Sequence, residues 1–122
     1  KPEGIRTKIL CEAKAFPSDR YALISQINFH KLNPDENLIE LSPREGEHCL
    51  RVEDIEQAIF DAGDTLATVM IGGVNYYTGQ LHNIQKITAA AKQVGAMCGF
   101  DLAHGMGNVP FELHDWGVDF AC

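Results

Sequence analysis

The sequence predicts an α/β fold in three layers around a mostly parallel sheet. Three observations carry this expectation. Short apolar runs that stop at Gly, Pro or a polar cluster read as buried strands. The stretches between them repeat apolar residues at helical spacing. The two kinds of stretch alternate along the chain, as βαβ units with helices on both faces of a sheet require.

Residues 8–15 form the first predicted strand, and a helix capped by Ser18 or Asp19 runs from there to about Leu32, with Leu23, Ile24 and Ile27 on one face. Asn33-Pro34-Asp35-Glu36 and Ser42-Pro43-Arg44-Glu45-Gly46 are turns that bracket a short strand at 38–41. Val52, Ile55, Ile59 and Phe60 give the second helix its stripe, and Gly63 is its natural stop. A strand at 66–71 follows, then a helix with Ile84, Ile87, Ala91 and Val94 on one side, ending at Gly95. Residues 96–102 form the third long strand, followed by a short helix and a last strand at 118–122. The chain stops inside that apolar run and opens on Lys1, which reads as an excerpt of a longer protein.

Composition narrows the function classes. The net charge of −7 argues against a nucleic-acid groove or an anionic membrane surface, since both want clustered Lys and Arg. No run approaches the roughly 18 apolar residues of a membrane span. The four cysteines, Cys11, Cys49, Cys98 and Cys122, contain no C-x-x-C pair and no Cys/His zinc spacing. Cys11, Cys98 and Cys122 lie in apolar runs and read as small hydrophobes in a reducing, cytoplasmic compartment.

In open parallel sheets, ligands bind beyond the carboxyl ends of the strands. Three segments fall there: Phe16-Pro17-Ser18-Asp19, Gly72-Gly73-Val74-Asn75-Tyr76-Tyr77-Thr78-Gly79, and Asp101-Leu102-Ala103-His104-Gly105. Asp101 ends a buried apolar strand, where a carboxylate needs a cation or strong donors. A cationic ring nitrogen, a backbone cap, a lysine or a metal would each serve. Asp-x-x-His with His114 or Asp115 is not a specific metal signature, and no metal is predicted. Phe16 precedes proline and is expected to be extended, free to cover a planar ligand or to enter the core. Trp116 is expected to cover the last short helix.

Taken together, the segments resemble the kynureninase family of pyridoxal-phosphate enzymes, of the aspartate-aminotransferase-like, fold type I group. The resemblance covers nearly the whole chain. It rests on Glu12-Ala13-Lys14-Ala15-Phe16-Pro17-Ser18-Asp19, on Tyr77-Thr78-Gly79-Gln80, on Gly99-Phe100-Asp101-Leu102-Ala103-His104 and on Leu113-His114-Asp115-Trp116-Gly117-Val118-Asp119-Phe120-Ala121-Cys122. It implies that residues 1–122 are part of a cofactor-binding large domain, truncated at both ends. It implies that Asp101 pairs with the pyridine nitrogen of pyridoxal 5'-phosphate, that Phe16 stacks on the ring, and that Asp19 and His104 hold its substituents with Pro17 and Ser18 shaping the wall. Where relatives often carry a hydroxyl residue, this chain has Gly72. The implied reaction is hydrolysis of kynurenine or 3-hydroxykynurenine to alanine and an anthranilate, in tryptophan catabolism and NAD biosynthesis, by a cytoplasmic homodimer. The lysine that carries the cofactor, and the phosphate-binding loop, are expected outside this chain, so the isolated polypeptide is expected to be inactive. A cysteine desulfurase or aminotransferase of the same fold, or a non-catalytic α/β binding domain, are the alternatives.

Overall fold

The computed structural model describes residues 2–122. Five parallel strands form one sheet in the order β2-β1-β3-β4-β5, where β1 is Lys8–Glu12, β2 is Leu38–Leu41, β3 is Leu66–Gly72, β4 is Met97–Asp101 and β5 is Phe120–Ala121. The helices are α1 (Pro17–Phe29), the single turn α2 (Pro34–Asn37), α3 (Val52–Ala62) and α4 (Ile84–Gln93). The three-layer α/β expectation holds.

The alternation of the strands decides what each face buries. Leu10, Val69, Ile71, Cys98 and Phe100 point to the side covered by α3 and α4, where they pack with Ile55, Ile59, Ile84, Ile87, Ala90 and Ala91. Helix α1 covers the other face and buries only Ile27 fully, while Leu23 and Ile24 are half-buried. That second layer is incomplete among the described residues: Met97 is 50% and Phe120 40% exposed. Phe60 also lies outside the core, at 43% exposure, so the α3 stripe is narrower than its sequence suggested.

Several boundaries move for local reasons. Helix α1 starts with Phe16 as its N-cap residue and Pro17 in the first turn, with no side-chain cap. The fixed φ of proline suits that position, so Ser18 and Asp19 lie inside the helix and do not cap it. The predicted turn at 33–36 closes into α2, where the Asn33 side chain accepts from the Asp35 amide at 3.1 Å. Helix α3 stops at Gly63, whose φ of 49° and ψ of −129° suit glycine. No helix forms between β4 and β5. Turns centred on Gly105–Asn108 and on 113–117 take its place, because Gly105, Gly107 and Pro110 interrupt any helical run. Trp116 therefore covers no helix; it meets Phe111 edge to face at 6.4 Å at the margin of the core.

Strand β5 is short and held mainly at its edges. The Asp119 carboxylate accepts from the Cys98 amide at 2.8 Å, and the Cys122 amide donates to the Phe100 carbonyl at 3.0 Å. All four cysteines are free; Cys11 and Cys98 are buried, whereas Cys122 is exposed and is not the packed hydrophobe its apolar surroundings in the sequence suggested. Burial pushes the thiols of Cys11 and Cys98 up to about 12.

Phe100 has no exposed surface, and a Cβ on Gly99 would sit 2.2 Å from the Phe120 ring. Phe100→Ala is therefore expected to destabilise the chain by about 3–5 kcal/mol. Gly99→Ala, which must displace β5, is expected to cost about 1–3 kcal/mol. Urea midpoints of the two variants check the order; Gly99→Ala at least as damaging as Phe100→Ala would contradict this packing.

Candidate cofactor site at the switch point of the sheet

The chain runs from β1 outward to β2 on one side and from β3 to β4 on the other. The connection after β1 lies over one face of the sheet and the one after β3 over the opposite face. Between β1 and β3, then, is the crevice where such sheets bind ligands. The carboxyl ends of β1, β3 and β4 bring the sequence-predicted residues to this edge.

Asp101 closes β4 in register with Gly72 of β3, and its carbonyl accepts from the Gly73 amide at 2.7 Å. One oxygen of its side chain accepts from the Ala103 amide at 2.7 Å, the cap role open to a strand-end aspartate. Asp101 also acts on Asp19, by a side-chain hydrogen bond and by its charge. Burial, the Asp101 hydrogen bond and the Asp101 charge push Asp19 up from 3.8 to about 6, while the Ser18 hydroxyl, 3.3 Å away, pulls it down. Glu12 adds a smaller upward push. Neither carboxylate of the pair forms an ion pair with a lysine or arginine among the described residues. Cys122 stands beside both acids, and burial and their charges raise its thiol.

Aromatic rings gather next to the acids. Phe16, at the end of the turn after β1, meets the Tyr76 ring edge to face at 5.1 Å; Tyr76 lies 6.5 Å from the His104 ring. Phe16 is 44% exposed, so it faces the crevice and is not a core residue. Pro17 and Ser18, both exposed, follow it into α1. Phe16, Pro17, Ser18, Asp19, Asp101 and His104 thus share one edge of the sheet.

Sequence reasoning gave no role to three further residues. Glu12 is 5% exposed, and its carboxylate accepts from the Gly72 amide at 3.1 and 3.3 Å. His82, 4% exposed, sets Nδ1 2.7 Å from the Gly72 carbonyl, so Nδ1 carries the proton and donates. Its Nε2 is buried with no partner. The amide of Gln80 pairs with the Leu50 backbone. A polar residue at the end of an apolar run was the only available signal for Glu12. The other two depend on loop geometry.

A cleft of about 630 Å³ adjoins the acid pair without containing it. Glu12, Leu41, Asn75, Tyr76, Gln80 and His82 are among its walls, and Tyr76 is the residue common to cleft and ring cluster. With Asp101 beside it, and no lysine or arginine paired with either acid among the described residues, Asp19 holds its proton above the ordinary carboxylate range. A cationic, planar heterocycle fits both the charge and the rings. Among the described residues no group of three or more His, Cys, Asp or Glu is arranged to hold a metal ion. Lys14, Lys86 and Lys92 are exposed, the last two on α4.

The raised Asp19 has a consequence for stability. The folded chain binds a proton at pH values where the unfolded chain has released it. Stability is therefore lost as pH rises from about 3.8 to about 6 and levels off above. Asp19→Asn removes this loss. The urea midpoint of the variant minus that of the parent is expected to grow across that window and then stay flat; a difference independent of pH would contradict the coupling.

Comparison with known proteins adds family and fold. The aminotransferase class-V family model matches residues 29–122. The kynureninase of Flavobacterium johnsoniae is 55% identical over 121 residues, 99% of this chain and 28% of that protein. The human kynureninase is 55% identical over 122 residues, 100% of this chain and 26% of that protein. The chain thus spans about a quarter of the length of these relatives. Among solved structures, ureidoglycine-glyoxylate aminotransferase from Bacillus subtilis superposes with a TM-score of 0.72 at 20% identity, covering 99% of this chain and 28% of that one. The cysteine desulfurase of Thermococcus onnurineus NA1 gives 0.66 at 19%, covering 95% and 27%. At such identities the likeness is one of fold, and it agrees with the parallel sheet described above. With the family model spanning most of its residues, the chain belongs to the aminotransferase class-V family.

Proposed function

We propose that residues 1–122 are part of the cofactor-binding large domain of a pyridoxal-phosphate-dependent kynureninase, which hydrolyses kynurenine or 3-hydroxykynurenine to alanine and an anthranilate. The observation that carries this reading is the Asp19–Asp101 pair, without a cationic partner among the described residues and flanked by Phe16, Tyr76 and His104. The similarity to kynureninases along the chain selects this reaction over others run on the same fold.

Pyridoxal 5'-phosphate, when bound, supplies an electron sink for negative charge developing on the substrate α-carbon. The residues of this chain would support it as follows. Asp101, fixed by the Ala103 amide, keeps a proton on the ring nitrogen. Asp19, beside Asp101, would hold a ring substituent or a neighbouring group by a hydrogen bond. Phe16 covers a ring face, and proline at position 17 keeps Phe16 extended. His104, exposed at the start of the turn after β4, donates to or accepts from a ring substituent. Pro17 and Ser18 complete the wall. Gly72 offers only backbone, and both its polar groups are already taken by Glu12 and His82. Among the described residues no lysine pairs with either acid, and in this reading the covalent anchor and the phosphate site come from residues outside this chain. A cytoplasmic homodimer is part of the same reading.

Two experiments on a protein containing this chain test it. Kynurenine-dependent release of an anthranilate is expected; sulfur release from cysteine without kynurenine cleavage would replace this reading by a desulfurase. Asp101→Asn is expected to lower kcat by about 10²–10³-fold, the range seen when one preorganised charge-stabilising group is removed. Cys98→Ala, in the core behind it, is expected to leave kcat within about threefold of the parent. Equal losses in the two variants would remove the role assigned to Asp101.

A further inference from the structure

The connection from β3 to α4 is eleven residues of backbone outside any helix or strand, yet it carries Tyr76, the ring that meets Phe16 edge to face and lies 6.5 Å from the His104 ring. Apart from the Gly73 amide, which donates to the Asp101 carbonyl at the start of the loop, its own bonds are local. The Asn75 carboxamide oxygen accepts from the amides of Tyr77 and Thr78 at 3.0 and 2.9 Å, and the Asn75 amide donates to the Gln80 carbonyl at 2.8 Å. These bonds give the loop a shape and leave its position over the sheet edge undetermined. Gln80 supplies the position. Its side-chain amide meets the Leu50 backbone from both ends: the Leu50 amide donates to Oε1 at 3.0 Å, and Nε2 donates to the Leu50 carbonyl at 2.5 Å. Leu50 is 6% exposed, anchored in the main core at the entry to α3. A side-chain amide that matches both polar groups of one residue fixes direction as well as distance, as a strand partner would.

We propose that Gln80 is a positioning residue for the cofactor-ring site, acting through Tyr76: it ties the loop to the α3 layer so that the Tyr76 ring stands against Phe16. This rests on the functional reading above and adds to it the residue that sets the aromatic wall. Glu12 and His82 hold the foot of the same loop at Gly72, so loss of Gln80 alone leaves the loop attached but free at its tip. A group that acts through another shows no separate effect once that other is gone.

The test is a double-mutant cycle in the holoenzyme that contains this chain. The dissociation constant of pyridoxal 5'-phosphate is read from the visible absorbance and circular dichroism of the bound cofactor. Gln80→Leu, which loses both hydrogen bonds, is expected to weaken binding about tenfold and to diminish the visible dichroism. Gln80→Glu, which keeps the acceptor for the Leu50 amide, is expected to fall between it and the parent, and it substitutes for Gln80→Leu should that variant not fold. In a Tyr76→Leu background, either change at Gln80 is expected to have less than a twofold effect. Additive effects of Gln80 and Tyr76 would overturn the proposal and leave the reading of the site intact. A parent protein that takes up no pyridoxal 5'-phosphate would overturn that reading, and the role of Gln80 with it.

Discussion

The structure around the site depends on one electrostatic constraint: two carboxyls, Asp19 and Asp101, are held together with no lysine or arginine paired to either among the described residues. Like charges at hydrogen-bonding distance cannot both ionise freely in a partly desolvated place. Asp19 lies in the first turn of α1, where the helix dipole favours a negative charge by about 0.3–1 kcal/mol. Its proton is nevertheless retained to a higher pH, so burial and Asp101 outweigh the dipole. The scaffold sustains this arrangement because each acid is fixed by different parts of the fold. Asp101 is set by the β3–β4 register and the Ala103 amide. Asp19 is set by the chain reversal at Lys14, whose φ of 57° lies in the left-handed region, and by the start of α1 at Phe16. Neither element can relax without breaking backbone bonds.

Much of this was legible in the sequence, for physical reasons. The apolar runs of β3 and β4 could only be buried strands, and their parallel order followed from the intervening helices. With parallel strands, all carboxyl ends gather on one edge, so Asp19 and Asp101, 82 positions apart, were placed together before any coordinates. Their resemblance to a known family then named the ring they would face. The aromatic wall was not legible. Tyr76 reaches Phe16 only because a carboxamide at position 75 folds the loop and another at position 80 ties it to Leu50, thirty residues earlier. Periodicity carries no information about such side-chain-to-backbone bonds. The short helix expected ahead of β5, with Trp116 over it, is absent because Gly105, Gly107 and Pro110 interrupt any helical run there, and turns form in its place.

Fold and chemistry separate cleanly here. An aminotransferase and a desulfurase at about 20% identity share this sheet, so its strand order and layers are compatible with several reactions. What can differ between such proteins is the group at each strand end. At the end of β3 this chain has Gly72, and a side chain there would crowd Glu12, whose oxygen lies 3.1 Å from where a Cβ would stand. Glycine at that point lets the buried carboxylate reach the strand amide.

Three acids at this edge are thus treated differently, and the contrast assigns their roles. Glu12 is nearly inaccessible, but its oxygens receive the Gly72 amide, and its burial ties β1 to β3. A buried acid whose acceptors meet backbone donors is a structural tie, because its desolvation is compensated within the fold. Among the described residues Asp101 accepts from the Ala103 amide and Asp19 from the Ser18 hydroxyl, and no lysine or arginine pairs with either. Apolar packing could have filled that space at lower electrostatic cost. Negative charge left partly uncompensated beside exposed rings costs the fold stability. The same physical rule, applied to three carboxylates at one edge of the sheet, separates the one whose burial is compensated within the fold from the two that are compensated only in part.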